Sequence, residues 1–332
     1  CEMVTFIPLV GGVSGIGSRF VDDAFGFASG FIYWINYIMS LPSEITAATI
    51  MLSYYDNIEI PGPGAAGWIT FFLVWTVVVN LLDVRVYGEL EFFFSLLKIM
   101  VMMLSIILNI IINVGGMPPE RTKIGFTYWQ ASQSDPSQGL TYGLFRPTFD
   151  LKDTGIGSLN GIGGNTGRFL SILISTCISN YAYVGTEILV IVAAEAKHPR
   201  KALPSATNRI FWRILLFYIF SVFCVGLNFY AGDPRLLRYR TINSDDTSDN
   251  RTAIQEAIVD YFGGDVCTQQ KNTDRLKNFS GLYNGNQSPW IIAFQNARLC
   301  SLSAVFNGMF VVFALSAGSS QLYASSRTLY QM

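Results

Sequence analysis

Three full charges, Glu44, Lys98 and Glu187, lie inside stretches of otherwise apolar sequence. A charge at the centre of a bilayer costs about 2.5 to 3.5 kcal/mol on insertion scales, so each calls for a partner, a wet cavity or a function. Their polar neighbours recur at helical intervals. Asn36, Ser40 and Glu44 are four apart; Glu91, Ser95, Lys98, Met102, Ser105 and Asn109 follow steps of three or four; Ser175, Ser179, Tyr183 and Glu187 step by four. On helices these spacings gather each set on one face. Such a face lines a polar site, or it joins helices through bonds of about 0.6 kcal/mol each. Joining usually employs Ser, Thr and Asn, so the carboxylates of Glu44 and Glu187 favour a site. Lys98 has a further option, because its stem can carry the ammonium to an interface.

The sharpest local signal is Asn180-Tyr181-Ala182-Tyr183-Val184-Gly185-Thr186-Glu187. Glycine weakens a helix interior by about 1 kcal/mol, so a break is expected there. Backbone groups freed within a bilayer persist only where they line a cavity or bind something. A half-helix N-terminus attracts a carboxylate and freed carbonyls suit an ammonium, and a zwitterionic amino acid offers both. The alternative is a glycine that lets two helices approach. Asn307-Gly308 and Ser316-Ala317-Gly318-Ser319-Ser320 stand equally open to ligand contact or helix packing. Pro42 removes a backbone bond and is expected to kink its helix, leaving Glu44 beside a freed carbonyl.

The elements that must hold these residues are set by composition. Of 332 residues, 51% are hydrophobic and 14% charged, against roughly a quarter charged in soluble domains. The net charge of -1 offers no field for nucleic acid. Six apolar runs near 27–53, 66–83, 91–113, 169–193, 210–231 and 290–324 are long enough to cross a bilayer, so the expected class is an all-α multi-pass membrane protein. Lys197, Arg200, Lys201 and Arg209 crowd the short loop 194–209, which reads as cytoplasmic. The long polar loops 114–168 and 232–289 are then extracellular. The second carries Asn-x-Ser/Thr sequons at Asn250, Asn278 and Asn286, candidates for N-glycans. The five cysteines show no CxxC spacing and read as free thiols, so no metal site or disulfide framework is expected. No signal peptide is visible. The single His198 sits in a basic loop without a partner carboxylate, which speaks against an enzyme.

Several ordered motifs resemble the fungal amino-acid permeases of the amino acid-polyamine-organocation superfamily. They are Ser18-Arg19-Phe20-Val21-Asp22 with Gly26-Phe27; Leu41-Pro42-Ser43-Glu44; Val86-Tyr87-Gly88-Glu89 with Glu91-Phe92 and Lys98; Gly125-Phe126-Thr127-Tyr128-Trp129; Gly185-Thr186-Glu187 with Glu195, Pro199-Arg200-Lys201 and Pro204; and Ser316-Ala317-Gly318 with Tyr323 and Ser326-Arg327. The resemblance implies the inverted-repeat fold of the bacterial leucine transporter, with this chain holding helices three to eight of twelve. Val184 stands where relatives often have a polar residue, and Ser319 where they often have Asn.

By that resemblance, the chain is expected to carry amino acids across the plasma membrane by proton-coupled alternating access, with no cofactor beyond the proton gradient. Tyr183, Val184, Gly185, Thr186 and Glu187, with Asn36, Glu44, Ser316, Ser319 and Ser320, are the expected substrate contacts. Lys98 and Glu44 are the expected proton-coupling groups. Two alternatives stay open: a sensor built on the same fold, and an incomplete gene product without activity.

Overall fold

In hydrocarbon every backbone N–H and C=O must be satisfied within its own segment, which leaves the apolar runs one structure, the helix. A computed structural model describes residues 12–52, 54–55, 63–117, 122–135, 140–145, 148–149, 161–183, 185, 188, 199–233, 235–236, 261 and 288–331. In chain order the elements are α1 (Gly12–Phe20), α2 (Asp23–Leu52), α3 (Pro63–Leu81) and α4 (Val84–Val114), then a two-residue hairpin of β1 (Thr148–Phe149) and β2 (Ile162–Gly163). There follow α5 (Gly164–Tyr183), α6 (Pro199–Arg213), a π-helical stretch Ile214–Phe220, α7 (Ser221–Gly226), α8 (Pro289–Asn296) and α9 (Cys300–Gln331).

Among the described residues five segments are long and apolar enough to span a membrane: Asp23–Leu52, Gly64–Leu81, Val84–Val114, Pro204–Gly226 and Cys300–Tyr330. The expected run 169–193 is represented by α5, whose Arg168 and repeated Ser, Thr and Asn lower its hydropathy; most of its remainder lies outside the described residues. Two expectations are corrected. The run 290–324 is not one helix, because Ala297–Leu299 separates α8 from α9. Arg298 adopts φ 59, and the N–H groups of Arg298 and Leu299 return to the carbonyls of Gln295 and Phe294, closing α8 with a left-handed cap. Nor are all the cysteines free: Cys177 and Cys224 are free thiols, whereas Cys300 is disulfide-bonded to a partner outside the described residues. Pro42 lies within α2 without interrupting the helix. The sequons at Asn250, Asn278 and Asn286 lie outside the described residues.

α2 and α9 pack antiparallel along their lengths. Tyr54 Oη and Ser303 Oγ are 2.6 Å apart, Tyr55 Oη donates to the Ala304 carbonyl, and Asn307 Nδ2 donates to the Met51 carbonyl. Nearer the other end, Tyr37 and Ala324 are fully buried in one cluster. Ile45, Ala48, Phe72, Val311 and Ala314 form the apolar seam between α2, α3 and α9. α1 folds back on α2 so closely that a Cβ at Gly26 would collide with Ser18. Large apolar side chains such as Ile32, Met39, Phe92 and Phe93 face outward, as a lipid solvent allows.

The described parts of the two long loops meet at one end of the bundle. Trp129 Nε1 donates to the Gly226 carbonyl, and the Thr141 N–H donates to Tyr230 Oη. Arg235, buried, bonds Asp233 through Nε and Nη2 at 2.9 and 2.6 Å and reaches Gln295 and Asn296 on α8. Burial raises the Tyr128 phenol above its ordinary value and pushes Tyr142 up to about 12, so both rings stay neutral.

Candidate functional site

α4 begins at Val84 rather than near position 91, so Lys98 stands at mid-helix with Glu91 two turns before it on the same face. Its ammonium does not run to the interface. Lys98 Nζ donates to Ser316 Oγ at 2.8 Å, Ser316 Oγ donates to Glu91 Oε2 at 3.0 Å, and Lys98 Nζ lies 3.8 Å from Glu91 Oε1. One α9 hydroxyl therefore bridges the opposite charges of α4. Glu44 on α2 and Arg213 at the end of α6 act on the same ammonium electrostatically. Charges from three elements thus converge where burial strengthens their interactions.

Glu44 also ties α2 to α5. Tyr181 Oη donates to Glu44 Oε1 at 3.2 Å. α9 passes Glu44 at Gly318, where a Cβ would sit 3.7 Å from the Glu44 Cβ. Two residues beyond Tyr181 the helix stops. Gly185 takes φ +101, a backbone that L side chains rarely adopt, and its carbonyl accepts the Ile188 N–H. Among the described residues a Cβ there would meet Ile188 at 3.6 Å, an ordinary contact, so it is the backbone conformation that favours glycine here. Ile188 packs on the cluster of Tyr37 from α2 and Ala324 from α9. Tyr183 stacks on Tyr218 of the π-helical stretch, with centroids 5.6 Å apart and planes 16° from parallel. Val184, Thr186 and Glu187 lie outside the described residues.

The small polar stretch of α9 divides its contacts. Ser316 holds the α4 charges; the Ser320 hydroxyl donates to the Ser316 carbonyl; the Ser319 carbonyl accepts from Asn80 of α3 at 3.2 Å, while its hydroxyl returns to the Leu315 carbonyl. Asn36 is exposed, with its carbonyl bonded to Ser40 Oγ. Among the expected residues, Glu44, Lys98, Tyr183, Gly185, Ser316 and Ser320 are thus placed along one α2–α4–α5–α9 seam. Glu91, Tyr181 and Tyr87, which stand in the sequence motifs but not among the expected site residues, join them, as do Arg213 and Tyr218, which no motif named. Glu91 had a readable signal, an opposite charge seven residues before Lys98. Arg213 and Tyr218 had none. Among the described residues no group of His, Cys, Asp and Glu could hold a metal ion.

A family model described as amino acid permease matches residues 1–332. The chain is 42% identical over 333 residues to the SPS-sensor component SSY1 of Saccharomyces cerevisiae, covering all of this chain and 38% of that protein. It is 33% identical to the dicarboxylic amino acid permease and 30% to the lysine-specific permease of the same yeast, covering 44% and 43% of them. The chain thus spans about two fifths of the length of these curated relatives. No solved structure matches.

Proposed function

The chain belongs to the amino acid permease family of multi-pass membrane proteins, and on that premise we propose that it recognises an amino acid at the seam of α2, α5 and α9 and acts as a sensor of it. The observation carrying the sensing output is the 42% identity to a sensor component, against 33% and 30% to permeases over nearly the same residues. The recognition itself is supported by the seam: a helix stopped at Tyr183, a positive-φ glycine after it, and the Glu44 carboxylate 3.2 Å from Tyr181. Backbone groups released there and the carboxylate of Glu44 suit the two charges of a zwitterion. On this reading the protein sits in the plasma membrane, and Asn250, Asn278 and Asn286 on the outer loop accept glycans.

Proton-coupled uptake is the second reading, favoured by Lys98 at the middle of α4 among Glu91, Ser316 and Glu44. Labelled amino-acid accumulation by cells expressing the full-length protein separates the two. The sensor reading expects ligand binding without accumulation. Concentrative uptake that is lost in Lys98→Met would replace it with the carrier reading.

A further inference from the structure

A turn between two spanning helices has to lie at a membrane interface, because backbone groups without helical partners are not tolerated in hydrocarbon. Leu81 closes α3 and Val84 opens α4, so Leu82 and Asp83 make such a turn. It stands at the end of the bundle opposite the loop cap: the Tyr87 ring of α4 stacks on Tyr323 in the C-terminal part of α9, with centroids 5.0 Å apart and planes 12° from parallel. On the orientation in which loops 114–168 and 232–289 are extracellular, this is the cytoplasmic interface, where aromatic side chains collect.

A cavity of about 360 Å³ opens there between α3, α4 and α9, within the size range of small-molecule sites. Tyr87, Tyr323 and Arg327 give it two rings and a guanidinium, whereas Leu82 and Val84, 43% and 49% exposed, give it an apolar lip beside the outward-facing Leu81 and Val86. Arg327 Cζ lies 5.2 Å from the Tyr323 ring centroid, so the ring meets the guanidinium. The five guanidinium donors lie in one plane as a fork that matches a phosphate. Among the described residues no carboxylate lines the cavity. One stands at its edge: Asp83, exposed, falls between the lining residues Leu82 and Val84, and its side chain makes no bond to the helix it precedes.

We propose that this cavity binds the headgroup of a membrane phospholipid in which a phosphodiester is followed by a primary ammonium, as in phosphatidylethanolamine. The phosphate meets Arg327, the ammonium meets Asp83, and the acyl chains leave over Leu82 and Val84 into the bilayer. A basic pocket between helices at the cytoplasmic side is suited to a lipid phosphate. The carboxylate at its edge selects a headgroup that brings its own cation, and the apolar lip selects a lipid over a soluble phosphate ester. The bound lipid ties the α3–α4 turn to the end of α9, so binding stabilises the fold.

The test strips purified full-length protein of lipid in detergent and adds back phosphatidylethanolamine, phosphatidylcholine or phosphatidylglycerol with identical acyl chains, reading the shift in thermal unfolding. Phosphatidylethanolamine is expected to reach half-maximal stabilisation at a concentration about threefold below the other two, because choline has no N–H to give Asp83 and glycerol has no cation. Asp83→Asn removes this preference and leaves the response to phosphatidylcholine unchanged; Arg327→Gln weakens phosphatidylethanolamine about tenfold. Equal stabilisation by the three lipids, or a preference that survives Asp83→Asn, overturns the proposal. Should Arg327→Gln fail to fold, Asp83→Asn, at an exposed residue without a bond to its helix, decides alone. Glycerophosphoethanolamine, the same headgroup without acyl chains, is expected to act more than about tenfold more weakly; equal potency would assign the cavity to a soluble phosphate ester and overturn the lipid.

Discussion

Ser316 is a small residue holding two charges together. Its hydroxyl accepts from Lys98 and donates to Glu91, so it is the shortest link in a buried network whose members depend on one another. Ser316→Ala should lower stability by about 1 to 2 kcal/mol, the worth of a hydrogen bond to a charged group less some screening by solvent, measured as a drop in the thermal midpoint in detergent. A double-mutant cycle with Lys98→Met and Glu91→Gln should show coupling of roughly 0.5 kcal/mol or more; additive effects would mean that the network carries no energy. The part played by Ser316 was half legible in the sequence. Its small size and place in a polar stretch marked it, but whether it met ligand or helix depended on where α9 crosses α4, a tertiary fact. Lys98 is similar: an intramembrane lysine is conspicuous, while its partner Glu91 stands at the first position of the apolar run 91–113. The helix in fact starts at Val84, because Val84-Arg85-Val86-Tyr87 is carried into helix by the continuous segment that follows.

Elements were legible in proportion to how uniformly apolar they are. α2, α3 and α4 begin and end within several residues of their expected positions, whereas the run 290–324 concealed a break, since Ala297-Arg298-Leu299 contains no proline or glycine to announce it. The break at Gly185 was readable for the opposite reason, a glycine inside an apolar helix. Its left-handed backbone makes a second prediction. Gly185→Ala should cost about 1 to 2 kcal/mol in stability and weaken amino-acid affinity, measured by thermal unfolding with and without ligand; unchanged binding would detach the glycine from the site. The π-helical stretch was invisible, because nothing in Ile214-Leu215-Leu216-Phe217-Tyr218-Ile219-Phe220 distinguishes i→i+5 from i→i+4 bonding. The loop cap at the far end makes a prediction about pH. Burial raises Tyr142 from 10.0 to about 12, so the unfolded state releases its proton first as pH rises. The cap's stability is therefore intact below pH 10 and declines between pH 10 and about 12. Tyrosinate absorbance followed alongside unfolding should show Tyr142→Phe losing part of this alkaline decline; an identical decline would place its cause elsewhere.

Across the whole molecule, α2 and α9 form an antiparallel spine against which α3, α4 and the end of α5 are set. The bonds of Lys98 and Glu91 to Ser316, of Tyr181 to Glu44 and of Asn80 to Ser319 cross between these elements, and the Tyr183 ring reaches the π-helical stretch through its stack on Tyr218. A ligand that moved the α5 break would act on Tyr181 and Glu44 directly, and on Tyr218 through Tyr183. From there the π-helical stretch runs into Arg213, and Arg213 to Lys98. That continuity gives binding a route to a change of conformation, which a sensor and a carrier both require. What separates them is whether the change releases the amino acid inside. The most direct test reconstitutes the full-length protein in liposomes and measures, in one preparation, amino-acid-dependent thermal stabilisation and accumulation of labelled amino acid under an imposed proton gradient. The account predicts saturable stabilisation by a restricted set of amino acids without accumulation. Stabilisation by none of them would contradict recognition at this seam, and accumulation against a gradient would contradict sensing as the output.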